Sequence, residues 1–252
     1  MTTYKQWHDD DLTFNSEMKI YFCECDMNHN LTLSEILKLT TDYAVEDYHQ
    51  RGMSWKFLAD HNVAILVSRI AFRIHRIPKD EEKILIKTWE EKPQPLQLMR
   101  NYQILSESGE KLVSGYGAWL LVNPKERKIM RTKDFTLRPE TSRQDGHDCM
   151  EPGKIAIPSE MKKIGERVIH YSDIDGNGHT NNSRYADFAI DVLPKEYQQK
   201  EFTDFRINFS KEAMLGISLE LFASFDDENK KITVVGKQSE NTCFECELFY
   251  KK

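Results

Sequence analysis

The sequence has no apolar run that approaches the roughly 20 residues a membrane-spanning helix needs, so it predicts no membrane span. Its first 14 residues, MTTYKQWHDDDLTF, contain no apolar segment typical of a signal peptide. A basic excess is also missing, because the net charge is −6, and this argues against a dedicated nucleic-acid-binding protein. These absences favour a cytoplasmic globular protein that binds no nucleic acid.

Cysteine is scarce, and the count of five is odd, which in a chain without a secretion signal indicates free thiols. Cys23 and Cys25 form a CxC pair, Cys243 and Cys246 form a CxxC pair, and Cys149 stands alone. Four thiolates are enough to bind zinc. However, both pairs lie in strand-like segments without a glycine knuckle, and CxC is an uncommon zinc spacing. We therefore expect small buried hydrophobic residues, with no metal and no cofactor.

Hydrophobic periodicity predicts an α+β protein. The chain has 252 residues, 39% hydrophobic and 30% charged, enough for one large domain or two small ones. Thr32 and Glu35 fit a capping box at the start of a long helix, which Gly52 ends. A strand precedes this helix and a meander follows it, and this order suggests a sheet that wraps the helix. The predicted strands cover residues 17–23, 64–77, 83–91, 97–106 and 111–122.

The same plan returns after a segment without periodicity. Residues 139–160 hold three prolines and two glycines, which indicates a linker. We therefore place an N-terminal domain at 1–138 and a C-terminal domain at 161–252. The second half is predicted to contain a helix at about 182–193, ended by Pro194. Its predicted strands cover residues 164–171, 203–211, 217–225, 231–238 and 242–250.

A polar turn stands at the centre of this second half. Residues 171–182, YSDIDGNGHTNN, combine Asp175, Asn177 and His179 with two glycines just before the helix. Backbone N–H groups near 181–183 would face a polarised carbonyl oxygen, and a carboxylate with an imidazole completes the parts needed for carbonyl hydrolysis. The alternative is an ordinary surface turn with a solvated histidine.

The spacing of this turn occurs twice. Asp26 and Asn28 lie 149 positions before the later aspartate and asparagine, and Asn30 precedes His179 by the same distance. Both runs stand between a predicted strand and a predicted helix. We infer a duplicated unit in which one half has a complete site and the other a degenerate one.

The turn also resembles the signature of a known family, the acyl-acyl-carrier-protein (acyl-ACP) thioesterases of plants and bacteria. The resemblance covers nearly the whole chain, and it implies a tandem double hot-dog fold, each half a long helix wrapped by an antiparallel sheet. It also implies that the chain releases free fatty acid from acyl-ACP. The residues that carry the resemblance are Asp175, Asn177, His179, Asn181, Asn182 and Tyr185.

The resemblance adds a glutamate to the site. The family's catalytic glutamate lies on the strand after the helix, and its context matches residues 210–213, SKEA, so Glu212 becomes the candidate base. Ala213 stands where plant members have cysteine, which argues against a papain-like mechanism.

The implied catalytic set is therefore Asp175, Asn177, His179 and Glu212. Our hypothesis is that Glu212 activates water while Asp175 and Asn177 hold the geometry. His179 would position the water or carry a proton to the leaving sulfur. Which of the two carboxylates acts first stays open, since they would influence each other's ionisation at a shared site.

The resemblance places the acyl-chain pocket in the N-terminal half and makes acyl carrier protein, which is acidic, the partner. A local cationic patch would suit that partner, and its candidates are Arg69, Arg73, Arg76, Lys195 and Lys200. An acyl-CoA thioesterase with the same site and a non-catalytic acyl-binding protein are the alternatives, and both a monomer and a homodimer fit a tandem hot dog. Candidates for the pocket are Met53, Trp55, Phe57, Val63, Ile65 and Trp119.

Overall fold

A computed structural model describes residues 5–251, which form one 12-stranded antiparallel sheet and four α-helices. The first half contains β1 to β7, α1 and α2. Its helices are α1 (Leu33–Gln50) and α2 (Trp55–Asp60). Its strands are β1 (Gln6–His8), β2 (Phe14–Lys19), β3 (Ala64–Ile74), β4 (Lys83–Gln94), β5 (Gln97–Ser106), β6 (Lys111–Asn123) and β7 (Lys128–Ile129).

The second half repeats this plan with shorter helices. Its helices are α3 (Arg184–Asp191) and α4 (Lys195–Gln198). Its strands are β8 (Lys162–Val168), β9 (Phe202–Phe209), β10 (Ser218–Asp226), β11 (Lys231–Gln238) and β12 (Asn241–Tyr250). Along the sheet the order is β1-β2-β4-β5-β6-β3-β9-β12-β11-β10-β8, with β7 paired to β6. The predicted α+β class is therefore confirmed.

The two halves meet in the middle of the sheet, where β3 pairs with β9. This ladder runs from Arg69 opposite Asn208 to Arg73 opposite Asp204, and Ala71 opposite Arg206 is its centre. An antiparallel pair of this kind has a local two-fold axis at its centre. The axis relates each residue of β3 to the residue 135 positions later in β9.

Helix α1 packs on one face of the sheet because its apolar residues recur every three or four positions. Ile36, Leu37 and Ala44 are almost fully buried, and they belong to the same core as Ile70 and Phe72 of β3. The N-cap prediction is confirmed, since the Thr32 side chain accepts a hydrogen bond from the backbone N–H of Glu35. The second predicted hydrogen bond of the capping box, from the Thr32 N–H to the Glu35 carboxylate, was wrong. The Thr32 N–H donates to the Glu24 carbonyl, and the Glu35 carboxylate binds Lys38 at 2.9 Å.

A buried group of charges lies between the end of α1 and the sheet. Arg100 of β5, 2% exposed, donates to the Asp47 carboxylate at 2.7 Å. Arg51 donates to Glu90 of β4 at 2.8 Å, and Arg138 also contacts Glu90. Burial would raise the pKa of Asp47 and of Glu90, but the neighbouring guanidinium groups outweigh it and lower both pKa values. The hydrophobic pattern gave no sign of this group.

The 149-residue repeat extends to the fold around both turns. The 3₁₀ turns Phe22–Glu24 and Tyr171–Asp173 are related by this offset. So are the isolated bridges that close the two turns, Cys25 with Leu31 and Ile174 with Thr180. The duplication inferred from the sequence is therefore present in the backbone.

Residues 139–160 contain no helix or strand, as expected, but they lie against the sheet on the face opposite the helices. The Lys92 N–H donates to the Arg143 carbonyl at 2.8 Å, and the Asn208 amide donates to the Gly153 carbonyl at 3.2 Å. Ile155 is buried. The segment thus contacts strands of both halves, while the domain boundaries at 138 and 161 stay a prediction.

Several local predictions need correction. The strand predicted at 64–77 ends at Ile74, and the strand predicted at 164–171 covers Lys162–Val168. The first predicted strand, 17–23, begins and ends earlier, at Phe14–Lys19. The helix predicted at 182–193 covers only Arg184–Asp191. It begins later than predicted because the Ser183 N–H donates to Asn181 Oδ1 in a separate turn. Cys23 is exposed and lies in a 3₁₀ turn rather than in a buried strand, whereas both cysteines of the CxxC pair are buried in β12 as expected.

Candidate active site

The turn that carries His179 is closed by its own aspartate. Asp175 Oδ1 accepts hydrogen bonds from the backbone N–H of Asn177 at 2.8 Å and of His179 at 3.2 Å. The Asp175 N–H donates in return to the His179 carbonyl at 2.8 Å. Gly178 has a φ of +82°, which glycine adopts without steric cost. The turn therefore presents the imidazole of His179 at its exposed end.

The corresponding turn in the first half has the same hydrogen bonds. Asp26 Oδ1 accepts from the N–H groups of Asn28 at 2.8 Å and of Asn30 at 3.0 Å, and the Asp26 N–H donates to the Asn30 carbonyl at 2.8 Å. This turn has asparagine at the position of His179, yet it keeps the aspartate. Its own histidine, His29, stands at the position of Gly178 and contacts Asp80 at 2.9 Å. In both halves the hydrogen bonds of the aspartate therefore close the turn.

Glu212 lies close to His179, although the two residues come from different segments. The predicted location on the strand was wrong, since β9 ends at Phe209 and Glu212 follows in the loop before β10. Its Oε2 atom is 3.8 Å from Nε2 of His179. This distance is longer than a direct hydrogen bond, and a water molecule or a substrate can bridge such a gap.

All four predicted site residues line one cavity of about 720 Å³. Asp175, Asn177, His179 and Glu212 form one wall. The opposite wall comes from the first half, so the cavity lies between the two repeats. That wall consists of Thr41, Asp42, Val45 and Glu46 of α1, Ile65, Leu66, Val67 and Ser68 of β3, and Trp119 and Leu120 of β6.

Much of the opposite wall is apolar and accessible. Val45 is 59% exposed and Leu66 is 44% exposed, although both are aliphatic. Of the six residues expected to line the acyl pocket, Ile65 and Trp119 do so. The other four lie elsewhere: Met53 and Val63 in the core, Phe57 partly buried beside it and Trp55 exposed.

Two carboxylates of α1 in this cavity were not predicted. Asp42 and Glu46 are four residues apart, so they lie on the same side of the helix. Asp42 is accessible but recessed in the cavity, and this partial desolvation raises its pKa. The spacing was visible in the sequence, but only the pairing of the halves brings α1 to the later turn.

The backbone N–H groups at the start of the helix are mostly occupied. The N–H of Asn181 donates to the Asp173 carbonyl at 2.8 Å, and the N–H of Ser183 donates to Asn181 Oδ1 at 2.9 Å. The N–H of Arg184 donates to the Asn181 carbonyl. Within residues 5–251, only Asn182 of these four has a backbone N–H without an acceptor. The predicted donor region at 181–183 therefore narrows to one group.

A smaller cavity of about 340 Å³ is the counterpart of this site under the local two-fold axis. It is lined by the first-half turn and by residues 74–77, where the larger cavity has residues 209–212. Asn30 stands in the place of His179, and Ile77 in the place of Glu212. At these two counterpart positions the smaller cavity has neither an imidazole nor a carboxylate, although His75, Asp187, Asp191 and Glu201 line it elsewhere.

Two arginines of the expected cationic patch are already paired. Arg73 binds Asp204 at 3.0 Å, and Arg76 binds Glu82 at 2.6 Å. Among residues 5–251, no group of three or more histidine, cysteine, aspartate or glutamate side chains is arranged to hold a metal ion. No helix in the same range is long and apolar enough to cross a membrane.

Comparison with protein families gives two matches, one in each half of the chain. The model of the acyl-ACP thioesterase N-terminal domain matches residues 11–138, and the model of the C-terminal domain matches residues 158–247. A chloroplastic acyl-[acyl-carrier-protein] hydrolase of Cuphea viscosissima is 20% identical over 231 residues, which cover 86% of this chain and 56% of the relative. The chain thus spans little more than half the length of this relative.

Two solved structures have the same fold over almost the whole chain. An acyl-ACP thioesterase from Bacteroides thetaiotaomicron has a TM-score of 0.86 at 23% identity, covering 96% of this chain and 99% of that one. The 12:0-ACP thioesterase from Umbellularia californica has a TM-score of 0.80 at 12% identity, covering 97% and 99%. These similarities confirm the predicted double hot-dog fold.

Proposed function

Because the chain belongs to the acyl-ACP thioesterase family, we propose that it hydrolyses the thioester bond of fatty acyl groups carried on acyl carrier protein. The observation that carries this proposal is the 3.8 Å approach of His179 Nε2 to Glu212 Oε2 in a cavity with an apolar opposite wall. A base and a proton carrier lie on one side of the cavity, and a surface for an acyl chain lies on the other.

Glu212 acts as the general base in this proposal. Its carboxylate removes a proton from a water molecule, and the oxygen of that water attacks the thioester carbonyl carbon. Asp175 does not compete for this role, since Oδ1 of its carboxylate is engaged by two backbone N–H groups. Asn177 lines the same cavity and holds the substrate beside the turn.

The developing oxyanion requires a hydrogen-bond donor. The Asn182 N–H is available for this task, and Asn182 lines the cavity. When the tetrahedral intermediate collapses, the C–S bond breaks and the sulfur leaves as a thiolate. His179 protonates that sulfur and regains its proton from Glu212, which returns both residues to their starting state.

The acyl chain binds along the α1 side of the cavity. Val45 and Leu66 are aliphatic side chains exposed to water in the free protein, and an acyl chain would cover them. Burial of apolar surface contributes about 25 cal/mol per Å². An extended apolar chain is therefore the ligand that this wall favours.

The test is thiol release from a panel of acyl-ACPs and matching acyl-CoAs, measured with the wild type and with His179→Ala. The proposal expects release from acyl-ACP well above the rate with acyl-CoA, and loss of this release in the variant. Faster release from acyl-CoA would keep the site and change the carrier. Acyl binding without release from either carrier would contradict the proposal and favour a binding protein.

A further inference from the structure

The backbone of Ala213, next to Glu212, is held at both its polar groups by two buried hydroxyls. Thr180 Oγ1 donates to the Ala213 carbonyl at 2.6 Å. The Ala213 N–H donates to the Tyr185 hydroxyl at 3.1 Å. All three residues are buried, with relative exposures of 4% for Thr180, 0% for Ala213 and 3% for Tyr185.

These two hydrogen bonds join the segment of Glu212 to the segment of His179. Thr180 follows His179 directly, and Tyr185 lies on the first turn of α3. Among the described residues, the Glu212 carboxylate has no hydrogen bond, and its one ion-pair-range contact is with His179 at 3.8 Å. The location of this carboxylate therefore depends on the backbone that carries it.

The first half shows that the fold itself does not need these hydroxyls. At the 149-residue offset, Leu31 stands in the place of Thr180 and Ile36 in the place of Tyr185, and both are equally buried. The local two-fold axis relates Ala213 to Pro78, which has no N–H to donate. This position is thus a tyrosine in the second half, where the facing residue has an N–H to bind, and an isoleucine in the first half, where it has none.

The first half joins the same two segments more directly. The Leu31 N–H donates to the Pro78 carbonyl at 2.8 Å, one backbone to the other. In the second half the Thr180 side chain makes the corresponding contact with the carbonyl of Ala213.

We propose that Thr180 and Tyr185 are positioning residues that hold Glu212 at its working distance from His179. The inference rests on the proposed function, in which Glu212 is the base. Both residues line the cavity, but their hydroxyl groups bind the backbone of Ala213. Both act through the backbone of Ala213, and only the half with the histidine and the glutamate contains them.

The decisive variants are Thr180→Val, Thr180→Ser and Tyr185→Phe. Thr180→Val keeps the shape of the side chain without the donor, and Thr180→Ser keeps the donor. We expect kcat for acyl-thioester hydrolysis to fall about 10- to 100-fold in Thr180→Val and Tyr185→Phe, with KM nearly unchanged. Thr180→Ser should restore most of kcat.

Two control variants remove comparable hydroxyls away from the cavity. Thr132 Oγ1 donates to the Gln94 carbonyl at 2.7 Å, and the Tyr250 hydroxyl donates to Asp227 at 2.6 Å. Thr132→Val and Tyr250→Phe should leave kcat unchanged. In a Glu212→Gln background, Thr180→Val should cause no further loss, since positioning acts only through Glu212.

Crystal structures of the same variants give a readout that needs no substrate. We expect the separation of His179 from residue 212 to widen in Thr180→Val and to return in Thr180→Ser. An unchanged separation, together with an unchanged kcat, would overturn the positioning role while leaving the hydrolase proposal intact. If the wild type hydrolyses no thioester, the proposed function fails, and the measured separation still decides whether the hydroxyls hold Glu212.

Discussion

Asn30 and His179 occupy the same position in two turns of the same shape. Each residue accepts a hydrogen bond at its carbonyl from the N–H of the aspartate four positions before it, at 2.8 Å in both halves. The turns differ in their side chains, with Asn30 in the place of His179 and His29 in the place of Gly178. The chain therefore contains its own control for experiments on the candidate site.

Replacing His179 should lower activity strongly, whereas replacing its first-half counterpart Asn30 should not. We expect His179→Ala to lower kcat about 100-fold or more, because proton transfer to the leaving group loses its carrier. Asn30→Ala, the matched change in the first turn, should keep kcat at the wild-type value. The measurement is the steady-state rate of thiol release from acyl-ACP. Equal losses in both variants would point to a structural effect of the turn.

The two turn aspartates should have the same effect on stability and different effects on activity. Asp26→Ala and Asp175→Ala each remove an acceptor of two backbone N–H groups. We expect each to lower the free energy of unfolding by about 1 kcal/mol, measured by urea titration. Only Asp175→Ala should also lower kcat, because it disturbs the turn that presents His179. A normal kcat in that variant would argue against its geometric role.

The turns were predictable from sequence because the contacts that form them lie within five residues. Aspartate, asparagine and glycine at fixed spacing specify such a turn through local hydrogen bonds. Most strands were predictable for a similar reason, since alternating burial is a property of each strand alone. The 149-residue repeat then related one turn to the other.

Features that depend on contacts between distant segments were not predictable. Nothing local places Glu212 beside His179, and only the family resemblance suggested it. Arg100 looked like an ordinary charged residue of a strand, yet it is buried with Asp47 of α1. The role of Thr180 becomes visible only when the halves are compared position by position, because the first half has leucine there.

The buried charges between α1 and the sheet should be important for stability. Asp47→Asn keeps one acceptor oxygen but removes the negative charge, so it leaves the buried guanidinium of Arg100 without its full counter-charge. We expect a loss of about 3–5 kcal/mol in the free energy of unfolding at neutral pH. Asp60→Asn, which removes an exposed partner of Lys56 on α2, should cost less than about 1 kcal/mol. Urea titration of both variants makes the comparison.

The same group of charges predicts that the stability of the fold depends on pH. The pKa of Asp47 and that of Glu90 are lowered in the folded state, so the folded protein binds fewer protons than the unfolded chain. Their contribution to the free energy of unfolding is fully present above the pKa values of the unfolded state, near 4. It is lost as the pH falls through the lowered pKa values of the folded state. The deficit of Asp47→Asn should therefore shrink in acid. A deficit that stays constant down to about pH 3 would contradict this.

The apolar wall of the cavity should limit the length of the acyl chain. Val45→Trp places a larger ring on the α1 side of the cavity, where Val45 is 59% exposed. We expect kcat/KM to decline for long saturated acyl-ACPs more than for short ones. Ile129→Trp, at an exposed isoleucine of β7 that does not line the cavity, should leave the profile unchanged. An identical decline for all chain lengths would exclude this wall as the acyl surface.

The central claim is that Glu212 is the base that activates water. The most direct measurement is the rate of thiol release from acyl-ACP by the wild type, Glu212→Gln and Glu228→Gln, the last being an exposed glutamate between β10 and β11. We expect a loss of about 100-fold or more in Glu212→Gln and wild-type turnover in Glu228→Gln. Turnover of Glu212→Gln within a few-fold of the wild type would contradict the account.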